Sequence, residues 1–470
     1  MTAIITQKTK HLLMSQLKAD ADSSVNKYYI GIGKSEDWNA TDATVNPLIT
    51  EREERDFRLS MQSAKIATNY SFVVPRHPWL SNTPFDAYDD TVVGHVSANP
   101  FYTIIDNNQV YVCIRKGSGN STVSPSGTSG KTFATADGYA WKFLYTVGVV
   151  DNTNFTTGNF IPVKKVLSLD SDGSGNITDT STNVQQILIQ DSAIAKPLVG
   201  FEVINGGAGY LTAPLVTITG NGVATANTKL AAAVATVSGG AVQKIDLSDS
   251  TDGSTLHGTG YDYASITFTA QGGDTITDVA TARVKHGPKA GFGADPTIDL
   301  RSSALMFNIQ PDGTEDGEFQ IGTSFRQLAL MKNPADSTGV AFSATDGNAL
   351  RRLELFQRTT GFTKGSLMTS ASGAQGYVGH DSAAGGASGS YAELWFHQNE
   401  TTGFKPFVAG EQVTDAAGGI GILDSATGIG KFNKSGKIDP FSGELLYIEN
   451  RAKVVRAADQ KEDIKVIIEI

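Results

Sequence analysis

The chain has 470 residues, 40% of them hydrophobic and 18% charged, with 50 glycines; that length holds roughly two to four domains, and the composition is that of a β-rich, turn-rich protein. A formal charge of −10 argues against a nucleic-acid-binding surface, because phosphate contacts need clustered Lys and Arg, and protein or glycan is the expected partner. The single cysteine, Cys113, excludes an intrachain disulfide and a multi-cysteine zinc site and fits synthesis in a reducing cytoplasm; with no 18-residue apolar run and no leader pattern, neither a membrane anchor nor signal-peptide export is expected.

The first predicted element is a helix, where Ile4, Ile5, Leu12, Leu13, Gln16 and Leu17 share a face and Asp20, Asp22, Ser23 and Ser24 close it. An aromatic and β-branched strand follows over 28–33, then a turn through Lys34 to Trp38. Residues 49–66 read as a second, strongly charged helix whose Ile49, Phe57, Met61, Ala64 and Lys65 leave a narrow apolar stripe, with a polar face that is either solvated or a docking surface. From Phe72 onward short strands dominate, over 73–75, 102–105, 110–114 and 139–147, and this first unit ends near 165. Tyr139, Trp141 and Phe143 alternate on one strand face, a pattern that favours core over a ligand platform.

Residues 166–295 turn Gly-, Ala-, Thr- and Ser-rich and read as an inserted β module. Within it Gly207-Ala208-Gly209-Tyr210 and the strand after it return, about fifty residues on, as Gly258-Thr259-Gly260-Tyr261 and a second strand. The stretch 231–247, with Gly239-Gly240 at its turn, reads as a hairpin. Residues 296–350 return to core, and 351–436 form a second inserted Gly-rich module in which Thr359-Thr360-Gly361-Phe362 recurs loosely as Thr401-Thr402-Gly403-Phe404. Its small-residue stretch 379–389 is expected to be a flexible surface loop. In the C-terminal core, 437–470, near-continuous aliphatic residues at 445–448 and 464–470 predict buried strands, the last covered on both faces.

Chemistry-bearing patterns are sparse. Ser129-Gly130-Lys131-Thr132 resembles the end of a phosphate loop, but Pro125 stands where the first glycine is required and no helix pattern follows. Asp170, Asp172, Ser174, Gly175 and Ile177 match half of a calcium loop whose twelfth-position carboxylate is replaced by Ser181; a β-turn is the preferred reading, with loosely held calcium left open. The seven histidines lack metal-site spacing, and no carboxylate pair is marked as catalytic. No enzyme activity and no cofactor are expected.

Several ordered segments carry a resemblance. They are Ile30-Gly31-Ile32-Gly33-Lys34-Ser35-Glu36-Asp37-Trp38, then Val73-Val74-Pro75-Arg76 with Trp79, and Asp137 through Tyr145. Later come Phe325-Arg326-Gln327-Leu328 through Lys332-Asn333-Pro334, Ser442 through Arg451, Ala458-Asp459-Gln460 and Glu462-Asp463-Ile464. Together, over 1–165, 286–350 and 436–470, they resemble the baseplate wedge protein that is the eighth gene product of T-even-type contractile-tailed bacteriophages, above all its marine and cyanobacterial relatives.

The resemblance implies a mainly β (α+β), multidomain structural subunit with antiparallel sandwich-like domains and a few N-terminal helices. It implies a homodimer beside other wedge proteins in the virion tail baseplate, assembled in the host cytoplasm and helping to transmit contraction. It brings no catalytic residues. Trp38, Arg76, Trp79, Arg326, Glu449, Asn450, Arg451, Asp459 and Gln460 are the candidates for an interface or domain junction. The alternatives are a receptor- or glycan-binding tail or fibre protein, and a depolymerase, which would need many more repeats than two.

Overall fold

The structure, a computed structural model, describes residues 5–35, 51–95, 97–172, 174–225, 229–249, 256–311, 324–382, 392–425, 433–457 and 461–470. Among the described residues strands account for 41% and helices for 12%, in several antiparallel sheets, so the class is mainly β and multidomain. Among the described residues no helix is long and apolar enough to cross a membrane. The chain divides into two compact units, one of Met1–Ser15, Ser71–Met306 and Glu469–Ile470, the other of Gln16–Tyr70 and Phe307–Ile468.

The second unit is built on an antiparallel five-stranded sheet in the order Asp346–Asn348, Met61–Ile66, Tyr28–Gly33, Ser324–Lys332, Glu444–Val455. Gly31 and Gly33 make room for the helix Glu51–Ser60 above the sheet: a Cβ at either would stand 3.2 or 3.1 Å from the Phe57 ring. The helix expected over 49–66 therefore stops at Ser60, and Met61–Ile66 is a strand. Met61 and Ala64 keep a helical three-residue spacing, but Tyr28–Gly33 supplies a ladder, Gly31 opposite Ala64 and Ile30 opposite Lys65, and a register shift beside Ile32 and Gly33 lets both residues reach the core.

The rest of this unit closes on itself. Around a closed ring the strands run in the order Arg351–Thr360, Ala392–His397, Gln375–Asp381, Leu367–Ser370, Gln412–Asp415 and Ile420–Leu423, the last pairing back with Arg351–Thr360. Leu353, Leu355, Met368, Val378, Leu394, Phe396, Val413 and Leu423 fill its core. Each copy of the expected repeat is followed by a strand pair, Leu367–Ser370 with Gln375–Asp381 and Gln412–Asp415 with Ile420–Leu423, although Phe362 is buried and Phe404 exposed. Of the expected loop, 379–381 belongs to a strand and 383–391 lie outside the described residues.

Two C-terminal expectations need correction. Glu444–Val455 is the end strand of its sheet, with Leu445 and Ile448 packed on the core but Leu446 44% exposed. Ile464–Glu469 lies at the end of a sheet beside Ala304–Ile309; Ile464 and Val466 are buried, Ile467 and Ile468 half-buried, and Ile470 40% exposed. An end strand leaves its outer edge uncovered, so aliphatic density alone overstated the burial.

In the first unit, Tyr102–Ile104, Gln109–Arg115, Ala140–Thr146 and Phe133–Ala134 form an antiparallel sheet whose Tyr111, Cys113, Tyr139, Trp141 and Phe143 pack with Phe85 in a fully buried aromatic core. The Asn69–Pro75 strand pairs with Phe160–Val163 through Phe72 and Val163. Within 166–295 the sequence pattern missed a helix, Ser181–Asp191, whose Ile189 enters that aromatic core. Thr180 caps it by accepting from the Asn183 N–H, and Gln190 holds both backbone groups of Val166, so this part of the insert belongs to the aromatic domain.

The β module proper begins where Leu198–Asn205 pairs with Thr281–His286, so the chain enters and leaves by neighbouring strands. Ala233–Ser238 pairs with Ala241–Leu247, and Leu215–Gly220 with Ala264–Thr269. Gly207, Gly209, Gly258 and Gly260 all have positive φ, the region where a side chain is strained. The two Gly-x-Gly-Tyr segments thus share one turn conformation.

Candidate functional site

Three of the resembling segments, far apart in sequence, become neighbouring strands of the five-stranded sheet. Gly33 lies opposite Gln327, and Gln327 opposite Asn450. The Gln327 amide donates to Asn450 Oδ1 at 2.8 Å and to Glu53 Oε1 at 3.2 Å, and Ser60 Oγ donates to Gln327 Oε1 at 3.4 Å. Two strands and the charged helix are thereby tied through one buried amide.

The helix's polar face turns out to dock largely within its own unit. Arg58 is buried and donates to the carbonyls of Pro440, Ser442 and Gly443 at 2.8–2.9 Å while its guanidinium meets Glu54 at 2.9 Å. Arg52 pairs with Glu400 at 3.0 Å. Sequence reading chose Arg326, Glu449, Asn450 and Arg451 but passed over Glu53, Arg58 and Gln327. Their signal was a buried-side arginine and glutamate on an otherwise solvated helix, which becomes visible only once the sheet is assembled. Arg326 is buried beside Gln327, Glu449 accepts from the Tyr447 hydroxyl at 3.1 Å, and Arg451 is exposed. Trp38, Asp459 and Gln460 lie outside the described residues.

In the first unit the structure joins two more resembling segments. The Trp79 indole donates to Ser121 Oγ at 3.1 Å, and that hydroxyl donates to Asp137 Oδ2 at 3.1 Å. Asp137 also accepts the N–H groups of Thr122 and Val123, at 2.8 and 3.0 Å. Burial pulls its carboxyl up, but these donors and Thr135 prevail and hold it below the ordinary range. Arg76 is exposed and touches the chain at the Thr157 carbonyl, 3.4 Å away. It is not drawn into this group.

A cleft of about 490 Å³ separates the aromatic domain from the β module, lined among others by Asp86, Tyr88, Lys116, Phe201, Lys244 and Arg301. Its charges neutralise one another. Lys116 meets Asp86 at 2.8 Å, Lys244 meets Asp246 at 3.0 Å, and Lys285 pairs with Asp89. Burial pulls the Asp89 carboxyl up, but hydrogen bonds from Lys285 and Thr91 bring it down to about 2. Arg301 donates to the Gly94 and Asp89 carbonyls and lies 4.7 Å from both the Tyr88 and Phe101 ring centres. Paired ions thus line the cleft where the two bodies meet.

A part-buried polar contact crosses that joint. His257 Nδ1 faces the Leu198 carbonyl at 2.8 Å and so carries the proton, leaving Nε2 to accept from Thr132 Oγ1 at 3.1 Å. A hydroxyl beside an imidazole suggests a nucleophile, but a carbonyl holds the place of the orienting carboxylate and the ring is buried, which pushes its pKa down to about 4. Lys142 donates to the Gly130 carbonyl and burial pushes it down to about 8, while burial raises the neighbouring Asp299, whose carboxylate accepts the Gly293 N–H at 2.6 Å.

The remaining sequence motifs fall in a strand lead-in and a turn. The segment 129–132 leads into the strand Phe133–Ala134, with Lys131 exposed. Asp172 accepts from the N–H groups of Ser174 and Asn176, at 2.9 and 2.8 Å, closing a turn at Gly175. Among the described residues no three His, Cys, Asp or Glu side chains gather as a metal site. Compared with family models and with curated proteins, the sequence matches none.

Proposed function

We propose that this chain is a structural subunit of the baseplate wedge of a contractile-tailed bacteriophage, docking neighbouring wedge proteins and passing on the conformational change of contraction. One observation carries the reading: segments 30–35, 325–334 and 442–451, which resemble that family, meet as adjacent strands tied by Gln327, Asn450 and Glu53. Segments that resemble one family and assemble into one sheet support reading them as a common framework. Paired ions in the cleft and buried polar groups at the joints suit a load-bearing part. A fibre protein would stack its repeats along an axis, whereas the two repeats here close on each other.

On this reading the partners are a second copy of the chain and the other wedge proteins, and the location is the virion baseplate. A density map of purified tail particles tests it: the two units should fit repeated density in the wedges. Finding the chain in fibres, or nowhere in the particle, would sink the proposal. Light scattering of the purified chain should return about twice 49.6 kDa, and a monomer mass at micromolar concentration would remove the dimer.

A further inference from the structure

The two Gly-x-Gly-Tyr repeats are related more deeply than their spelling indicates. Their strands exchange partners: the first strand of repeat one, Leu198–Asn205, pairs with the last of repeat two, Thr281–His286. The first of repeat two, Ala241–Leu247, pairs with the last of repeat one, Ala233–Ser238. The middle strands, Leu215–Gly220 and Ala264–Thr269, pair with each other antiparallel, as a local two-fold axis requires.

The turns obey the same exchange. Tyr210 Oη accepts the Ala280 N–H at 3.0 Å, and Tyr261 Oη accepts the Ala231 N–H at 3.2 Å. The Tyr210 N–H donates to the Gly240 carbonyl at 3.0 Å, and the Tyr261 N–H to that of Lys196 at 3.1 Å. Gly206 accepts from the Val242 N–H and His257 from the Leu198 N–H, at 2.8 and 2.9 Å. Asp274 braces the N–H groups of Leu211 and Thr212, and Asn221 braces those of Asp262 and Tyr263. A Cβ at Gly207 would stand 2.6 Å from Ala280 N, and one at Gly258 2.6 Å from Ala231 N. In every pair the two atoms belong to different repeats.

We infer that residues 196–287 are a strand-exchanged pseudo-dimer of one duplicated repeat, whose halves complete each other's turns and therefore open only together, as a single cooperative unit. Asn205 Oδ1 accepts the Gly207 N–H within repeat one, but the tyrosine and carbonyl bonds of both turns run between repeats, so loss of one half removes those partners of the other. The module's exposed surface then moves as one body on its two neighbouring stalk strands.

Native-state hydrogen exchange on the full chain tests this. In Tyr210→Phe the slow amides of both repeats should speed up together, by about five- to tenfold for one lost hydrogen bond, while those of Gln109–Arg115 and Ala140–Thr146 keep their rates. Tyr261→Phe should give the same pattern from the other side. Asp274→Ala should do so with both tyrosines intact. Acceleration confined to one repeat, or to the single amide facing the altered ring, overturns the inference, as does equal acceleration in the aromatic domain.

Discussion

The aromatic domain and the β module share one compact unit and reach order by different means. In the aromatic domain the strand Ala140–Thr146 is buried on both faces, and Trp141 packs against Phe85 and Tyr139 with ring centres 5.2 and 5.7 Å apart. In the module the strands Leu215–Gly220 and Ala264–Thr269 keep one face in solvent, and Thr217 pairs opposite Thr267 there. One region relies on the area its rings remove from water, the other on turns that only glycine can make and on bonds exchanged between repeats. The contrast implies that each region fails to a different kind of substitution.

The largest effect is expected in the aromatic core. Trp141→Ala should cost about 3–5 kcal/mol, because no water or neighbour can fill the space of a fully buried indole. Chemical denaturation followed by tryptophan-independent circular dichroism would measure it, and a loss under about 1 kcal/mol would show that the rings are not what holds this domain. In the module a methyl group should suffice. Gly209→Ala places a Cβ 1.8 Å from the Thr275 carbonyl oxygen at a φ of +91°, so a cost of about 3 kcal/mol is expected. An unshifted melting curve would contradict the turn geometry.

Acid should act next, at the joint between the two regions. His257 is buried and its pKa lies near 4, whereas an exposed histidine titrates near 6.5. Above pH 6.5 neither the folded nor the unfolded form carries the proton and nothing is lost. As pH falls below 6.5 the unfolded chain takes up a proton that the folded chain refuses, so stability declines until the folded pKa is reached. About 2 kcal/mol should disappear between pH 6.5 and pH 5 on this account. His257→Gln should flatten that part of the pH profile, and an unchanged slope would assign the acid sensitivity elsewhere, with His95 and His380, also near 4, the first to examine.

The same contrast explains which features could be read before folding. Aromatic and β-branched strands announced the core around Trp141, and Gly-x-Gly-Tyr announced the module, because each signal is local. The helix over 49–66 misled because Phe57, Met61 and Ala64 keep helical spacing, whereas the strand edge that claims Met61–Ile66, and the register shift that turns Met61 and Ala64 to one core, lie outside the segment. Glu53, Gln327 and Asn450 were illegible as a group: their bonds span hundreds of residues, and no pattern on any one strand marks the amide that joins them. Burial at the C-terminus was overstated for a related reason, since composition reports how apolar a strand is and not how many neighbours it has.

The smallest expected effect sharpens the comparison from its quiet side. Leu215 is 57% exposed at the start of a module strand, opposite Thr269, with its side chain on the face that carries Thr217 and Thr219. Exposed this far, the side chain loses little on truncation, and a β-branched residue suits the pleated ladder as well as leucine does. Leu215→Thr should therefore change stability by less than about 0.5 kcal/mol. Leu144→Thr, in the fully buried strand of the aromatic domain, should cost several times more, because it removes apolar contact and buries a hydroxyl in one step. Parallel thermal melts of the two variants give the ratio directly. If Leu215→Thr were as damaging as Leu144→Thr, the outer face of the module would have to be covered in solution, and the division between a ring-filled domain and a turn-locked one would fail there.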